Sequence, residues 1–204
     1  STTSCTYTSS NYQYTCQPGY RDLTGVTFPN NAAQNVYFTS TANPDSTSNV
    51  YEIKNGTLKQ GCNYYLGSGT YYFTSTSSTT PSLQFSASSC HAGSPTQIIA
   101  QNLDGTLSSV LLYFTVGPVS FPSTNAVVSL RPMSAYHGID IWDAATSSTT
   151  LALSPPSTTG TSYGGVYSPA AMVTVSSSSS CTLSPQITQA FFVVSKMVAA
   201  NYLC

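Results

Sequence analysis

The sequence predicts an all-β protein of two tandem β-sandwich (Ig-like) domains behind an N-terminal extension: residues 1–20, then 21–117, then 118–204. Three observations predict it. The chain is 40% apolar with 15 Tyr and 8 Phe among 204 residues, so its 64 Ser and Thr do not describe a disordered tract, which lacks aromatics. Short runs alternate apolar and polar residues with a period of two, as half-buried strands do. The strand–turn–strand stretch Val128–Asp143 has a weaker copy at Val26–Phe38, the mark of a tandem repeat.

The elements follow in order. Within residues 1–20, Tyr12 and Tyr14 alternate with Gln13 and Thr15 as a strand, and Pro18-Gly19 is a turn and border. In the first repeat, alternating residues flank Asn55-Gly56, the signature of a two-residue hairpin turn in which both positions accept positive φ. Cys62–Tyr65 is a strand, Gly67-Ser68-Gly69 a turn, and Thr70–Thr74 the next strand. Leu83 with Phe85, and Ile98 with Ile99, mark two more, and Asn102–Gly105 another turn. Val110–Val116 is apolar on both faces, as a central strand should be. Gly117-Pro118 reads as the linker. In the second repeat, Val128 and Leu130 precede a turn at Arg131–Ser134. Ile139 and Ile141 then alternate with Asp140 and Trp142, and Phe191–Met197 is the closing strand.

Charge excludes whole classes of partner. Charged residues make up 5% of the chain and the net charge is −1, which leaves no basic footprint for nucleic acid and none for an anionic membrane. No apolar run reaches the roughly 18 residues of a membrane helix, so no membrane insertion is expected. Six cysteines without a CxxC pair, and with two histidines in the chain, point to disulfides rather than zinc. Locality pairs them Cys5–Cys16, Cys62–Cys90 and Cys181–Cys204. Disulfides imply an oxidising compartment, so the protein is expected to be secreted, extracellular or on a cell surface. Ser1 reads as a processed N-terminus.

The opening of each repeat, a strand, a Pro-bearing turn and a strand such as Ile139-Asp140-Ile141-Trp142-Asp143, resembles the bacterial and archaeal domain-of-unknown-function family 4397. Gly69-Thr70-Tyr71 fits that pattern in the first copy. Two departures stand out: Leu130-Arg131-Pro132-Met133-Ser134-Ala135 differs from the family's Ser-Pro-Asp-Ala turn, and Tyr37 stands where its Asp belongs. The resemblance implies tandem extracellular β-sandwiches on surfaces or appendages, and no chemistry.

His137, Asp140 and Asp143 are the residues that invite a catalytic or metal reading. A strand turns His137 and Asp140 to opposite faces, and an acid–base set needs several titratable groups converging. The expectation is therefore no enzyme, no metal and no cofactor, with Asp140 a structural acceptor for backbone N–H groups. Asn55-Gly56-Thr57 is an N-glycosylation sequon. Of the adjacent Tyr64, Tyr65, Tyr71 and Tyr72, period-two alternation points one ring of each pair inward and one outward. Outward rings suit a carbohydrate-binding face, the alternative reading. The leading expectation is a structural subunit of an extracellular filament or surface layer, a homopolymer. Its edge strands lack the lysines that normally guard them, so they would be filled by a strand from a neighbour. The donor would be the N-terminal segment carrying Tyr7, Tyr12 and Tyr14.

Overall fold

The structure is a computed structural model that describes residues 5–11, 13–21, 35–54, 56–90, 94–121, 126–145, 150–153, 164–176 and 192–200. Seventeen strands are described: β1 Thr6–Thr8, β2 Gln13–Cys16, β3 Gly19–Arg21, β4 Asn35–Phe38, β5 Val50–Lys54, β6 Gly56–Gln60, β7 Asn63–Leu66, β8 Gly69–Thr74 and β9 Leu83–Ser89. There follow β10 Thr96–Ala100, β11 Val110–Phe114, β12 Val119–Ser120, β13 Ala126–Ser129, β14 Ile139–Asp143, β15 Thr150–Leu153, β16 Gly165–Ser176 and β17 Phe192–Ala200. A single 3-10 turn, Ser134–Tyr136, is the one helical element among the described residues.

Consecutive strands do not pair with each other here, except for β1 with β2, β15 with β16 and β16 with β17. Each instead pairs in parallel with the strand one circuit further along. Face 1 has the order β1-β2-β4-β7-β10-β13. Face 2 runs β3-β5-β8-β11-β14-β16, and face 3 runs β6-β9-β12-β15-β16. The chain visits faces 1, 2 and 3 in turn, so β4-β5-β6, β7-β8-β9, β10-β11-β12 and β13-β14-β15 are successive coils. This is a three-sided parallel β-helix. The expectation of two tandem Ig-like sandwiches, and the sandwich that the family resemblance implies, are both overturned by these parallel ladders. A sandwich packs antiparallel sheets joined by hairpins and Greek-key connections, and the one antiparallel strand pair described is β1 with β2.

The same correction reaches the local signals. Asn55-Gly56 does not close a hairpin: β5 pairs with β3 and β8, whereas β6 pairs with β9. Between Lys54 and Gly56 the chain passes from face 2 to face 3. Gly67-Ser68-Gly69 likewise carries the chain from face 1 to face 2. At Gly117-Pro118, where a linker is expected, Gly117 has φ 87° and a Cβ there would strike the Thr80 carbonyl. The Ser82 N–H donates to the Pro118 carbonyl at 3.0 Å, and β10–β13 and β11–β14 pair across this position.

Parallel register stacks like positions in columns, and this builds the core. Inside face 1, Tyr14, Val36, Tyr64, Ile98 and Val128 form one column. Inside face 2, Tyr51, Tyr71, Leu112, Ile141 and Val166 form a second, and Ile53, Phe73 and Phe114 a third. All are buried. Tyr51 and Tyr71 stack at 4.6 Å, and Phe73 and Phe114 at 4.9 Å. Phe38 meets Tyr51 and Tyr71 edge-on across the interior. Interior phenols find partners: Tyr71 donates to the Gly67 carbonyl at 2.8 Å, and the Tyr64 hydroxyl accepts from the Lys59 N–H and donates to its carbonyl. β11 is central, as its sequence suggests, because β8 and β14 flank it.

Cys5–Cys16 and Cys62–Cys90 are both bonded. The first ties β1 to β2. The second staples one coil to the next at the corner between faces 3 and 1, where the Cys90 N–H also donates to the Gln60 carbonyl at 2.8 Å. The expected Cys181–Cys204 pair lies outside the described residues. Two disulfides fit an extracellular protein. No helix among the described residues is long and apolar enough to cross a membrane.

Candidate functional site

β14 carries the residues that drew attention in the sequence, and the fold separates them. Ile141 faces the interior in the column of Leu112, so Asp143 also faces inward, opposite Phe114 on β11 and beside Ser168 on β16. Asp143 accepts from the Ala145 N–H at 3.0 Å and from the Ser168 hydroxyl at 3.1 Å. Burial raises its pKa, and those two hydrogen bonds pull against the rise.

Asp140 sits at a bulge, where Ile139 is opposite Gly165 but Ile141 is already opposite Val166. It lies beside Gly164, which also approaches Pro132 and Gly138 of the loop Arg131–Gly138. Gly164 closes the site: a Cβ there would stand 2.6 Å from the Gly138 carbonyl, 3.0 Å from Pro132 and 3.2 Å from the Asp140 carboxyl carbon. Asp140 is 0% exposed. Its Oδ2 accepts the Gly164 N–H, while Oδ1 has no hydrogen-bond partner. Burial therefore pushes its pKa up to about 7, with the Gly164 and Asp140 N–H groups opposing. His137 stands at the other end of the loop, exposed and in the left-handed region at φ 53°. The three residues thus point three ways, and the described residues hold no group of three His, Cys, Asp or Glu side chains that could bind a metal.

The outer faces carry aromatic ladders. On face 2, Tyr72, Tyr113, Trp142 and Tyr167 occupy one column on four successive coils. Their neighbouring ring centroids are 5.1, 6.2 and 4.5 Å apart, and all four residues are half-buried. On face 1, Tyr37 and Tyr65 stack at 4.6 Å. Beside them runs an amide column, Gln13, Asn35, Asn63 and Gln97, in which Asn63 donates to Asn35 at 2.8 Å. Tyr64 and Tyr71 are core, and Tyr65 and Tyr72 face outward on different faces. The sequence reading found the alternation within each Tyr-Tyr pair. It missed Tyr113, Trp142 and Tyr167 as partners of Tyr72, because unequal coil lengths hide their alignment.

The two ends of the helix differ. At the N-terminal end, β1 closes face 1 in antiparallel pairing, Tyr7 opposite Tyr14 with rings 4.6 Å apart. Tyr7 is 37% exposed and Tyr14 is buried. Tyr12 and the sequon residue Asn55 lie outside the described residues. At the other end, β17 pairs with both halves of β16 and so spans faces 2 and 3. Pro169 lies within the register break where β16 passes from one face to the other. Among the described residues no strand lies beyond β17.

No family model, curated protein or solved structure matches the chain.

Proposed function

We propose that the protein is a structural element of an extracellular assembly, a β-helical rod that associates end to end along its axis. The observation that carries this reading is the nine-residue edge strand β17. Such an edge presents a row of N–H and C=O groups to any strand that can pair with it, and native edges are normally guarded by charge or proline. β17 has one lysine, Lys196, and no proline. The ends also complement one another. β17 spans faces 2 and 3, and among the described residues β1 covers face 1 at the head of the helix. Stacking tail on head keeps the strands of faces 2 and 3 parallel and is a heterologous contact, which propagates rather than closes. A surface with 5% charged residues offers little repulsion between copies. The N-terminal segment has its place on face 1 of its own chain, so the edge assigned to assembly is β17.

Consecutive N–H groups of a strand point to opposite sides. Of the variants Val198→Pro and Ala199→Pro, one removes an N–H aimed at β16 and the other an N–H aimed outward. The outward variant should keep its circular dichroism while losing the concentration-dependent growth seen by light scattering and electron microscopy. A wild-type protein that stays monomeric at high concentration sinks the reading.

A second reading is favoured by the face 2 ladder: a surface module that binds a neutral polysaccharide along Tyr72, Tyr113, Trp142 and Tyr167. Trp142 is the single tryptophan of the chain, so its fluorescence reports directly on occupancy. Titration with neutral glucans and mannans that leaves this emission unchanged, with no retardation in affinity gels, removes the second reading.

A further inference from the structure

Tyr37 and Tyr65 stand directly opposite one another in the parallel register of β4 and β7, on the outer side of face 1. Their rings are 4.6 Å apart and within 13° of parallel. Both residues are half-buried, so the phenols are held in place yet reach solvent. Burial raises both pKa values, with Tyr65 adding to the rise at Tyr37, so both are neutral phenols near neutral pH.

We propose that Tyr37 and Tyr65 form a dityrosine cross-linking site, oxidised by a peroxide-driven one-electron oxidant of the haem peroxidase class. Each phenol loses one electron to the oxidant and its hydroxyl proton to water, which leaves two tyrosyl radicals. A carbon–carbon bond then forms between one ortho carbon of each ring. The hydrogen on each of those carbons moves to its own phenol oxygen and restores aromaticity. Two electrons and two protons reduce one hydrogen peroxide to two waters, so the step balances.

Stacking suits this chemistry because the unpaired density at an ortho carbon lies perpendicular to the ring. Bond formation therefore begins face to face. Other pairs lack one requirement or another. Tyr51 and Tyr71 are stacked as closely but are fully buried. Tyr72 and Tyr113 are tilted by 51°. Tyr7 and Tyr14 are tilted by 33°, and Tyr14 is buried. Among the described residues Tyr37 and Tyr65 combine near-parallel rings, direct opposition and access. The bond would join two successive coils across face 1, as Cys62–Cys90 joins two at a corner. It lies within one chain and does not depend on end-to-end assembly.

The test uses the full chain with haem peroxidase and hydrogen peroxide, followed by dityrosine fluorescence and peptide mapping. The expected product links the Tyr37 and Tyr65 peptides with the loss of two hydrogen atoms. Its yield should not change on dilution. Tyr37→Phe and Tyr65→Phe keep the ring stack and should each abolish that product, while Tyr113→Phe should leave it intact. Absence of dityrosine, cross-links that map to other tyrosines, or a yield that falls with dilution overturns the proposal.

Discussion

Asp140 makes the stability of this protein depend on pH in an unusual direction. Its carboxyl is buried, holds one N–H at Oδ2 and has an unpartnered Oδ1, and its pKa is about 7 against an ordinary 3.8. Between those values the folded chain keeps a proton that the unfolded chain has released. Unfolding therefore releases a proton, and stability falls as pH rises through the window, with the loss complete above the folded value. One pKa unit corresponds to about 1.36 kcal/mol, so the ceiling is about 4 kcal/mol between pH 4 and pH 7. Burial raises the pKa of Asp143 too, so it contributes with the same sign. Asp140→Asn removes the titration and keeps an oxygen for the Gly164 N–H, but brings an amide donor to the position of Oδ1. In mild acid the neutral aspartic acid places one O–H at Oδ1, whereas the amide places two N–H donors there, so the variant should be less stable by about 1–3 kcal/mol for the extra unpaired donor. Above the folded pKa the wild type carries a buried charge, and the two curves should converge or cross. The assay is denaturant unfolding followed by Trp142 fluorescence and circular dichroism, from about pH 4 to about pH 8. A wild-type unfolding free energy that is flat across this range, or a variant with the same slope as the wild type, refutes the reasoning.

Other perturbations separate the parts of the fold. Replacing Cys62 and Cys90 together by Ser opens a cross-link with a sequence separation of 28 and should cost about 2–4 kcal/mol, more than removing Cys5–Cys16 with its separation of 11; chemical denaturation of the two double variants checks the order. Phe114→Ala removes a ring that stacks on Phe73 and meets Phe121 edge-on, and should cost about 3–5 kcal/mol, while Leu107→Ala at an exposed position should lie within about 0.5 kcal/mol of wild type. Gly117→Ala meets both a positive φ and the Thr80 carbonyl, and should lower the thermal midpoint far more than Gly105→Ala, which has a positive φ but open space around it.

Local chemistry was legible in the sequence. Period-two alternation sent one ring of each Tyr-Tyr pair inward and one outward, and the structure puts Tyr64 and Tyr71 inside. Cysteine locality paired Cys5 with Cys16 and Cys62 with Cys90. Pairing direction was not legible, because alternation is the same in parallel and antiparallel strands. Asn55-Gly56 turns the chain equally well into a hairpin or round a corner. Which one occurs is decided by β8 and β9, the neighbours that β5 and β6 find a coil later. The repeat itself was hidden because Asn35, Asn63, Gln97 and Val127, which share one column, fall at unequal intervals along the chain. Insertions at the corners change coil length without disturbing the ladder. Asp140 shows the same division: its role as a buried acceptor was expected from the shortage of titratable partners around it. Its partner Gly164 comes from the next coil, and only the closed helix brings the two together.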